Sequence, residues 1–170
     1  MSKSIRLGVI GGGQLGSLLC SAAKKLNIES LILSDDNDGP AQKLTIIRQR
    51  LVEGNYTDAL RYSEERHRNF PTHNGFLQLI GETQLALGNI EDAKSAFQRS
   101  IKLNAKDKDS HVSLANLYFD VGKYVYSALS FGDVIHIDPE DTDARYMQGL
   151  SYFKAQEWGR AASSWEDLLH

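Results

Sequence analysis

Residues 81–105 read GETQLALGNIEDAKSAFQRSIKLNA, and the residue types of this stretch return along the chain every 34 positions. Gly54, Gly88 and Gly122 are each 34 residues apart, and Gln156 is the next member of the series. A repeat period of about 20–50 residues indicates a solenoid or another repeat array. Three further positions keep the same register: Tyr56, Ile90, Tyr124 and Trp158; Ala59, Ala93, Ser127 and Ala161; Ser63, Phe97, Phe131 and Trp165.

The spacing of these positions predicts two antiparallel helices in each repeat. Glycine at 54, 88 and 122 suits the turn after the first helix, where a left-handed backbone is favoured. Pro71 and Pro139 end the second helix in two of the units, because proline has no amide hydrogen and disfavours helix in the preceding residue. Small residues mark where the two helices approach most closely: Gly81, Ala115 and Gly149 on the first, and Ala59, Ala93, Ser127 and Ala161 on the second.

This pattern resembles the tetratricopeptide repeat, a family whose period is about 34 residues. The resemblance implies a mainly α protein, a right-handed helical-repeat solenoid of about four helix pairs. We expect the repeats to occupy residues 40–170, with units at 40–73, 74–107, 108–141 and 142–170. The first unit departs from the pattern, since Ile47 occupies a small-residue position and Arg50 and Arg66 replace apolar residues. Both arginines could form a polar outer face that caps the stack.

The last unit ends at His170, inside its second helix, with no capping helix after it. We expect Leu168 and Leu169 to be partly exposed, so that the chain is truncated at this end or pairs with something there.

The resemblance also implies a concave groove, lined by the first helix of each unit, that binds an unknown peptide or partner protein. Arg48 and Asn116 could contribute to a clamp for a terminal carboxylate, as in the family's chaperone-tail binders, although Glu82 lies between them. Alternatively, the groove residues are merely solvated or contact another part of the chain. The groove residues carried over by position are Leu44, Arg48, Gln78, Glu82, Val112, Asn116, Tyr146 and Leu150.

A different pattern precedes the repeats. Residues 5–10, IRLGVI, predict a buried parallel strand, and residues 30–34, SLILS, predict a second one. Between them, the glycine loop 11–16 has the spacing G-x-G-x-x-G and leads into a predicted helix, and Asp35 follows about 20 residues later. This arrangement is typical of a dinucleotide fingerprint, with a carboxylate on the ribose. Residues 1–39 therefore predict a Rossmann-like β-α-β fragment.

Residues 5–42 resemble more closely the N-terminus of carboxyaminoimidazole ribonucleotide synthetase, an ATP-grasp enzyme of purine biosynthesis, through GGGQLG and D-x-x-PAQ. The resemblance implies ATP-dependent carboxylation of aminoimidazole ribonucleotide with bicarbonate. The loop residues implied to contact substrate or phosphate are Gly11, Gly13, Gln14, Leu15 and Gly16, together with Asp35 from the fingerprint.

The catalytic parts of such an enzyme cannot be placed in the rest of the sequence. After Gln42 the chain is already in register with the first repeat, which leaves no ATP-grasp lysine strand and no pair of metal-binding carboxylates. We therefore expect no catalytic residue, no metal and no cofactor, with ATP and Mg²⁺ required only if the enzyme interpretation holds. The glycines could instead only permit a tight strand–helix turn. The change of pattern near Pro40 indicates a fusion or a recombined reading frame.

Composition limits the partners and the compartment. The 170 residues are 41% hydrophobic and 24% charged with a net charge of −3, which favours neither nucleic acid nor an anionic membrane. Cys20 is the only cysteine, which excludes an intrachain disulfide and predicts a reducing, cytoplasmic location. A fragment of about 40 residues buries too little apolar surface to fold alone. Self-association through this fragment, or through the uncapped C-terminal helix, is therefore a further possibility.

Overall fold

The computed structural model describes residues 6–10, 29–33, 39–166 and 168. The chain divides into two compact units, Met1–Thr45 and Ile46–His170. In the first unit, strand β1 (Arg6–Ile10) pairs in parallel with strand β2 (Glu29–Leu33), with Arg6 opposite Glu29 and Ile10 opposite Leu33. Both predicted strands are confirmed. The helix predicted between them lies outside the described residues.

The rest of the described chain is helical, and the predicted helical-repeat solenoid is confirmed. From α2 onward each helix packs against the next one along the chain, and α3 also contacts α5. The described residues contain eight helices: α1 (Pro40–Val52), α2 (Tyr56–Asn69), α3 (Asn74–Ala86), α4 (Ile90–Leu103), α5 (Lys108–Asp120), α6 (Tyr124–Ile137), α7 (Thr142–Lys154) and α8 (Trp158–Glu166). The predicted domain boundary at 39/40 and the predicted limits between the repeat units stay predictions.

The turns inside the helix pairs have the predicted left-handed backbone. Gly54, Gly88 and Gly122 have φ values of +74°, +81° and +75°. Gln156 is the fourth member of the series and has φ +63°, although an L side chain rarely adopts this conformation. The repeat geometry therefore imposes the same turn even where glycine is absent.

The contacts between the two helices of a unit require small residues, as predicted. A Cβ atom added at Gly81 would overlap the ring of Phe97, and one added at Gly149 would overlap the indole of Trp165. Ala115 is fully buried at the corresponding position. Phe97 and Trp165 therefore each pack against a glycine of the paired helix.

Apolar residues also join consecutive units. Phe97 on α4 belongs to a buried cluster with Leu114 and Leu117 on α5. In the next unit, Phe131 on α6 packs in a cluster with Ala144 on α7. Each inter-unit interface therefore places the first helix of one unit over the second helix of the preceding unit.

Polar contacts tie the loops to these interfaces. The Asp107 carboxylate accepts hydrogen bonds from Asn74 Nδ2 (2.7 Å), Ser100 Oγ (3.0 Å) and Ser110 Oγ (2.5 Å). One unit later, Asp141 accepts from the backbone amide of Ala144 at 2.8 Å and caps the start of α7. These carboxylates fix where each following unit begins.

The first repeat unit, predicted at residues 40–73, packs its unusual residues inside the stack. Ile47 is fully buried, although the corresponding positions of the other units hold glycine or alanine. The guanidinium groups of Arg50 and Arg66 lie over the ring of Tyr62, at 4.7 and 4.6 Å from its centroid. Stacking on an aromatic face is a favourable place for a guanidinium, so the two arginines cover Tyr62.

Candidate functional site

The first helices of successive units bring polar side chains together around Glu82. This residue lies on α3, where its Oε1 accepts a hydrogen bond from Gln78 Nε2 at 3.1 Å. Arg48 on α1 and Asp109 on α5 are both close enough to influence its ionisation. Groups on three first helices therefore influence one carboxyl, as expected of a shared groove.

The charge around Glu82 is incompletely compensated. Burial raises the pKa of Glu82 above its ordinary value, whereas the Arg48 charge and the hydrogen bond from Gln78 act in the opposite direction. Asp109 adds a second negative charge and raises the pKa further. One positive and one negative group thus act on Glu82 in opposite directions, and an additional cation near Glu82 would favour its ionised form.

A second part of the predicted groove is apolar. Tyr146 and Leu150 on α7 line a cavity of about 570 Å³ together with Phe153, Trp165 and Leu168. The side chain of Tyr146 is 52% exposed. Ala162 and Glu166 complete the lining. This cavity is suited to large apolar side chains, because almost every group that lines it is aliphatic or aromatic.

The remaining predicted groove residues are more scattered. Gln78 is only 7% exposed, so it supports Glu82 from below and offers little surface to a ligand. Val112 is half-buried against the cluster around Phe131, and Asn116 is exposed on α5. Leu44 is half-buried on α1.

Some site predictions cannot be compared with the structure. The predicted loop residues Gly11, Gly13, Gln14, Leu15 and Gly16, as well as Asp35, lie outside the described residues. Across residues 39–166, 168 and the two strands, no group of three or more His, Cys, Asp or Glu side chains is placed to hold a metal ion. Over the same residues, no helix is both long and apolar enough to cross a lipid bilayer.

Sequence reasoning did not place Asp109, Phe153, Ala162 or Trp165 in a site. Asp109 approaches Glu82 from a different unit, a relation that spacing within one helix does not reveal. The repeat position of Trp165 predicts that its ring, like those of Phe97 and Phe131, fills the space toward the neighbouring unit. Its place in a cavity depends on what lies over it.

The chain is a helical-repeat protein, because paired helices recur in it at a fixed interval with small-residue contacts inside each pair. Residues 79–135 and 143–170 match tetratricopeptide repeat family models. Residues 4–66 match the ribonucleotide synthetase preATP-grasp domain, a match that extends past the predicted limit at residue 39 into α2. The chain therefore carries tetratricopeptide repeats, preceded by a segment of the preATP-grasp type.

One curated relative matches part of the chain. Phosphoribosylaminoimidazole carboxylase of Ogataea methanolica is 33% identical over 58 residues, which are 34% of this chain and 10% of the relative. The chain thus spans about a tenth of the length of this relative.

Several solved structures share the helical fold. MamA residues 41-end from Desulfovibrio magneticus RS-1 has a TM-score of 0.67 at 20% identity, covering 78% of this chain and 75% of that one. TTC0263, a thermophilic TPR protein of Thermus thermophilus, has a TM-score of 0.65 at 16% identity, covering 90% and 79%. YrrB, described as a TPR protein with an unusual peptide-binding site, has a TM-score of 0.62 at 19% identity, covering 78% and 68%. At these identities the likeness concerns the fold alone.

Proposed function

We propose that the repeats act as a protein-interaction scaffold, and that the surface formed by the first helices binds a peptide carrying a basic side chain. The observation that supports this proposal is that Arg48 and Asp109, which lie on the first helices before and after that of Glu82, both influence the ionisation of this buried carboxyl. A Lys or Arg side chain of the peptide would lie against Glu82 and Asp109 and compensate their charge. Hydrogen bonds to charged groups contribute about 1.5–3 kcal/mol, which is enough to select a basic residue.

This surface is less suited to a terminal carboxylate. Among the residues that the structure describes, Arg48 is the cation whose charge lowers the pKa of Glu82, so its charge is already partly used by that carboxyl. A carboxylate ligand would have to approach Arg48 while Glu82 and Asp109 repel it. We therefore favour a basic peptide over a clamp built from Arg48 and Asn116.

The proposal is tested by selecting peptides from a phage-displayed random library on the purified chain. Binding of a labelled selected peptide is then measured by fluorescence polarisation. We expect selected peptides to contain Lys or Arg, and Glu82→Gln to weaken binding by roughly tenfold or more. Asp109→Asn should weaken binding in the same direction.

Glu64→Gln is the matched control, because Glu64 is an exposed carboxylate on α2, a second helix of its unit. It removes the same charge from another surface and should leave binding unchanged. Equal losses of peptide binding in Glu82→Gln and Glu64→Gln would mean that the effect comes from net charge alone. Selection of peptides without a basic residue would contradict the proposal.

A second candidate function follows from the N-terminal match. Residues 4–66 match the ribonucleotide synthetase preATP-grasp domain, and the curated relative is a phosphoribosylaminoimidazole carboxylase. Under this proposal the segment contributes ribonucleotide binding to a purine-synthesis enzyme. Thermal unfolding with aminoimidazole ribonucleotide, with and without Mg-ATP, tests it directly, since a ligand that binds the folded state stabilises that state. Saturable stabilisation that Gly16→Asp removes would support this candidate, and no stabilisation at any concentration would count against it.

A further inference from the structure

A cavity of about 360 Å³ lies where the ends of α2 and α4, the second helices of the first two repeat units, come together. Three of the side chains that line it carry basic groups, and the other three are apolar. We call this cavity the basic pocket, and its lining is His67, Pro71, Leu77, Arg99, Lys102 and Leu103.

A contact between two of the basic groups shows that the pocket lacks an acceptor. Nη2 of Arg99 lies 3.2 Å from Nε2 of His67. A guanidinium has only donors, so Nε2 of the imidazole accepts this hydrogen bond and the ring hydrogen is on Nδ1. Nδ1 of His67 is buried and has no hydrogen-bond partner among the described residues. A buried donor of this kind is unfavourable until it meets an oxygen.

The positive charge of the pocket is not compensated locally. Among the residues that the structure describes, no carboxylate lies within ion-pair distance of Arg99 or Lys102. Burial lowers the pKa of His67, and the Arg99 charge lowers this pKa further. The surroundings of His67 therefore disfavour a further positive charge and would favour an anion.

The repeat does not require basic residues at this interface. One unit later, Ile101 occupies the position of His67. The position of Arg99 is occupied there by Asp133, whose Oδ2 lies 3.9 Å from Nδ1 of His111. The same inter-unit interface thus tolerates an apolar and an acidic residue, so the fold alone does not explain the basic pair.

Helix ends do not explain the pair either. A basic residue in the last turn of a helix counters the partial negative charge at that end, which accounts for Lys102 in α4. Arg99 lies before that turn, and its guanidinium contacts His67 of another helix. A ligand is therefore a better explanation of the pair than helix stability.

We propose that the basic pocket binds the phosphoryl group of a phosphate monoester. Such a group carries a charge of about −1.5 to −2 at pH 7 and three acceptor oxygens. Arg99 and Lys102 would donate to these oxygens, because guanidinium and ammonium groups are the usual phosphate partners in proteins. The ring hydrogen of His67 is a third donor in the same lining.

The apolar half of the lining fits the organic part of such an ester. Pro71, Leu77 and Leu103 line the cavity on the same terms as the basic groups. A cavity of about 360 Å³ is near the small end of ligand sites, so it suits a small ester or one phosphorylated side chain. A carboxylate is a poorer ligand, since it offers one charge and two oxygens to three basic groups.

Isothermal titration calorimetry of the full chain with phenyl phosphate tests the proposal. We expect saturable binding, and we expect benzoate, which has the same ring with a carboxylate, to bind roughly tenfold more weakly or less. Inorganic phosphate should also bind more weakly than phenyl phosphate, because it leaves the apolar lining uncovered. A short peptide with a central phosphoserine distinguishes the sources, since tighter binding than that of phenyl phosphate indicates a phosphorylated chain and weaker binding a free ester.

Matched variants locate the binding. Arg99→Gln and Lys102→Gln should each weaken the binding of phenyl phosphate by roughly tenfold. Arg68→Gln is the control, because Arg68 is exposed on α2, next to His67 in sequence, and does not line the pocket. It removes the same charge and should leave binding unchanged. All three positions are exposed, so circular dichroism of the variants should match that of the parent chain.

The histidine rings give a second readout. In proton NMR the ring signals of His67 should shift as phenyl phosphate is added, whereas those of His136, an exposed histidine on α6, should stay in place.

The proposal is independent of both proposed functions. Glu82→Gln, which tests the groove, and Gly16→Asp, which tests the N-terminal segment, should leave the binding of phenyl phosphate unchanged. Absence of saturable binding, or benzoate binding as tight as that of phenyl phosphate, would overturn the inference. Binding that Gly16→Asp abolishes and Arg99→Gln does not affect would also overturn it, because the phosphate would then belong to the N-terminal segment.

Discussion

Replacing Gly81 by alanine should destabilise the stack, although alanine is the better helix former. The added Cβ would overlap the ring of Phe97, which is fully buried and cannot move aside because Ala93, Leu114 and Leu117 surround it. Overpacking of this kind costs about 1–3 kcal/mol, whereas the gain in helix propensity is about 1 kcal/mol. Because the overlap with the Phe97 ring is severe, we place the overpacking cost at about 2–3 kcal/mol, which leaves a net loss in the free energy of unfolding of about 1–2 kcal/mol.

The same reasoning predicts a rescue by a smaller partner. Phe97→Leu alone should cost about 1–2 kcal/mol, because it leaves space next to Gly81. In the double variant the alanine methyl occupies part of that space. The two losses should therefore not add, and the double-mutant cycle should give a favourable coupling of about 1 kcal/mol.

Urea unfolding followed by circular dichroism at 222 nm measures these differences. With a slope of about 2 kcal/mol per molar urea, Gly81→Ala should lower the midpoint by about 0.5–1 M. Gly159→Ala is the matched control, since a Cβ added there meets nothing within 4 Å, and it should leave the midpoint unchanged or raise it. Losses that add within about 0.3 kcal/mol, or a Gly81→Ala variant as stable as Gly159→Ala, would refute the packing argument.

Three further predictions each concern a single residue. Asp107→Ala should lower the free energy of unfolding by about 1–3 kcal/mol, because Asn74, Ser100 and Ser110 lose their common acceptor; a loss no larger than that in Glu64→Gln would contradict it. Gly88→Ala should cost about 1–2 kcal/mol in urea unfolding, because an L side chain is strained at φ +81°, and an unchanged midpoint would speak against that strain. Burial raises the pKa of Glu82 in the folded chain. The contribution of Glu82 to folding stability is therefore fully present below the ordinary glutamate pKa, and it is lost as the pH rises through the raised pKa. Glu82→Gln should therefore melt at a higher temperature than the parent chain at about pH 7 and at the same temperature at about pH 3, and an equal or lower melting temperature at neutral pH would contradict this.

The helical architecture follows from the sequence because its determinants are local and repeated. Gly88 and its equivalents specify a left-handed turn, and Gly81 and Gly149 leave room for a ring on the paired helix. These requirements act within one helix pair, and the pair recurs several times, so each copy reinforces the prediction. Gln156 shows that the fold imposes the turn even where the residue type no longer indicates it.

The binding surfaces needed the tertiary structure. The sequence placed Arg48, Glu82 and Asn116 in one groove by their repeat positions, but it contained no sign that Asp109 acts on Glu82. Contacts of this kind join different units. They depend on how each unit is rotated against its neighbour, which the residue spacing inside one unit does not encode.

Two members of one repeat series show this difference most directly. By sequence alone, Phe97 and Trp165 are equivalent ring positions predicted to fill the space toward the neighbouring unit, whereas the structure places each ring against a glycine of its own unit. Whether such a ring becomes core or surface depends on the helix stacked over it, since apolar burial is a property of neighbours and not of residue type. The sequence alone therefore established the repeat, and only the folded stack showed how deeply each of its ring positions is buried.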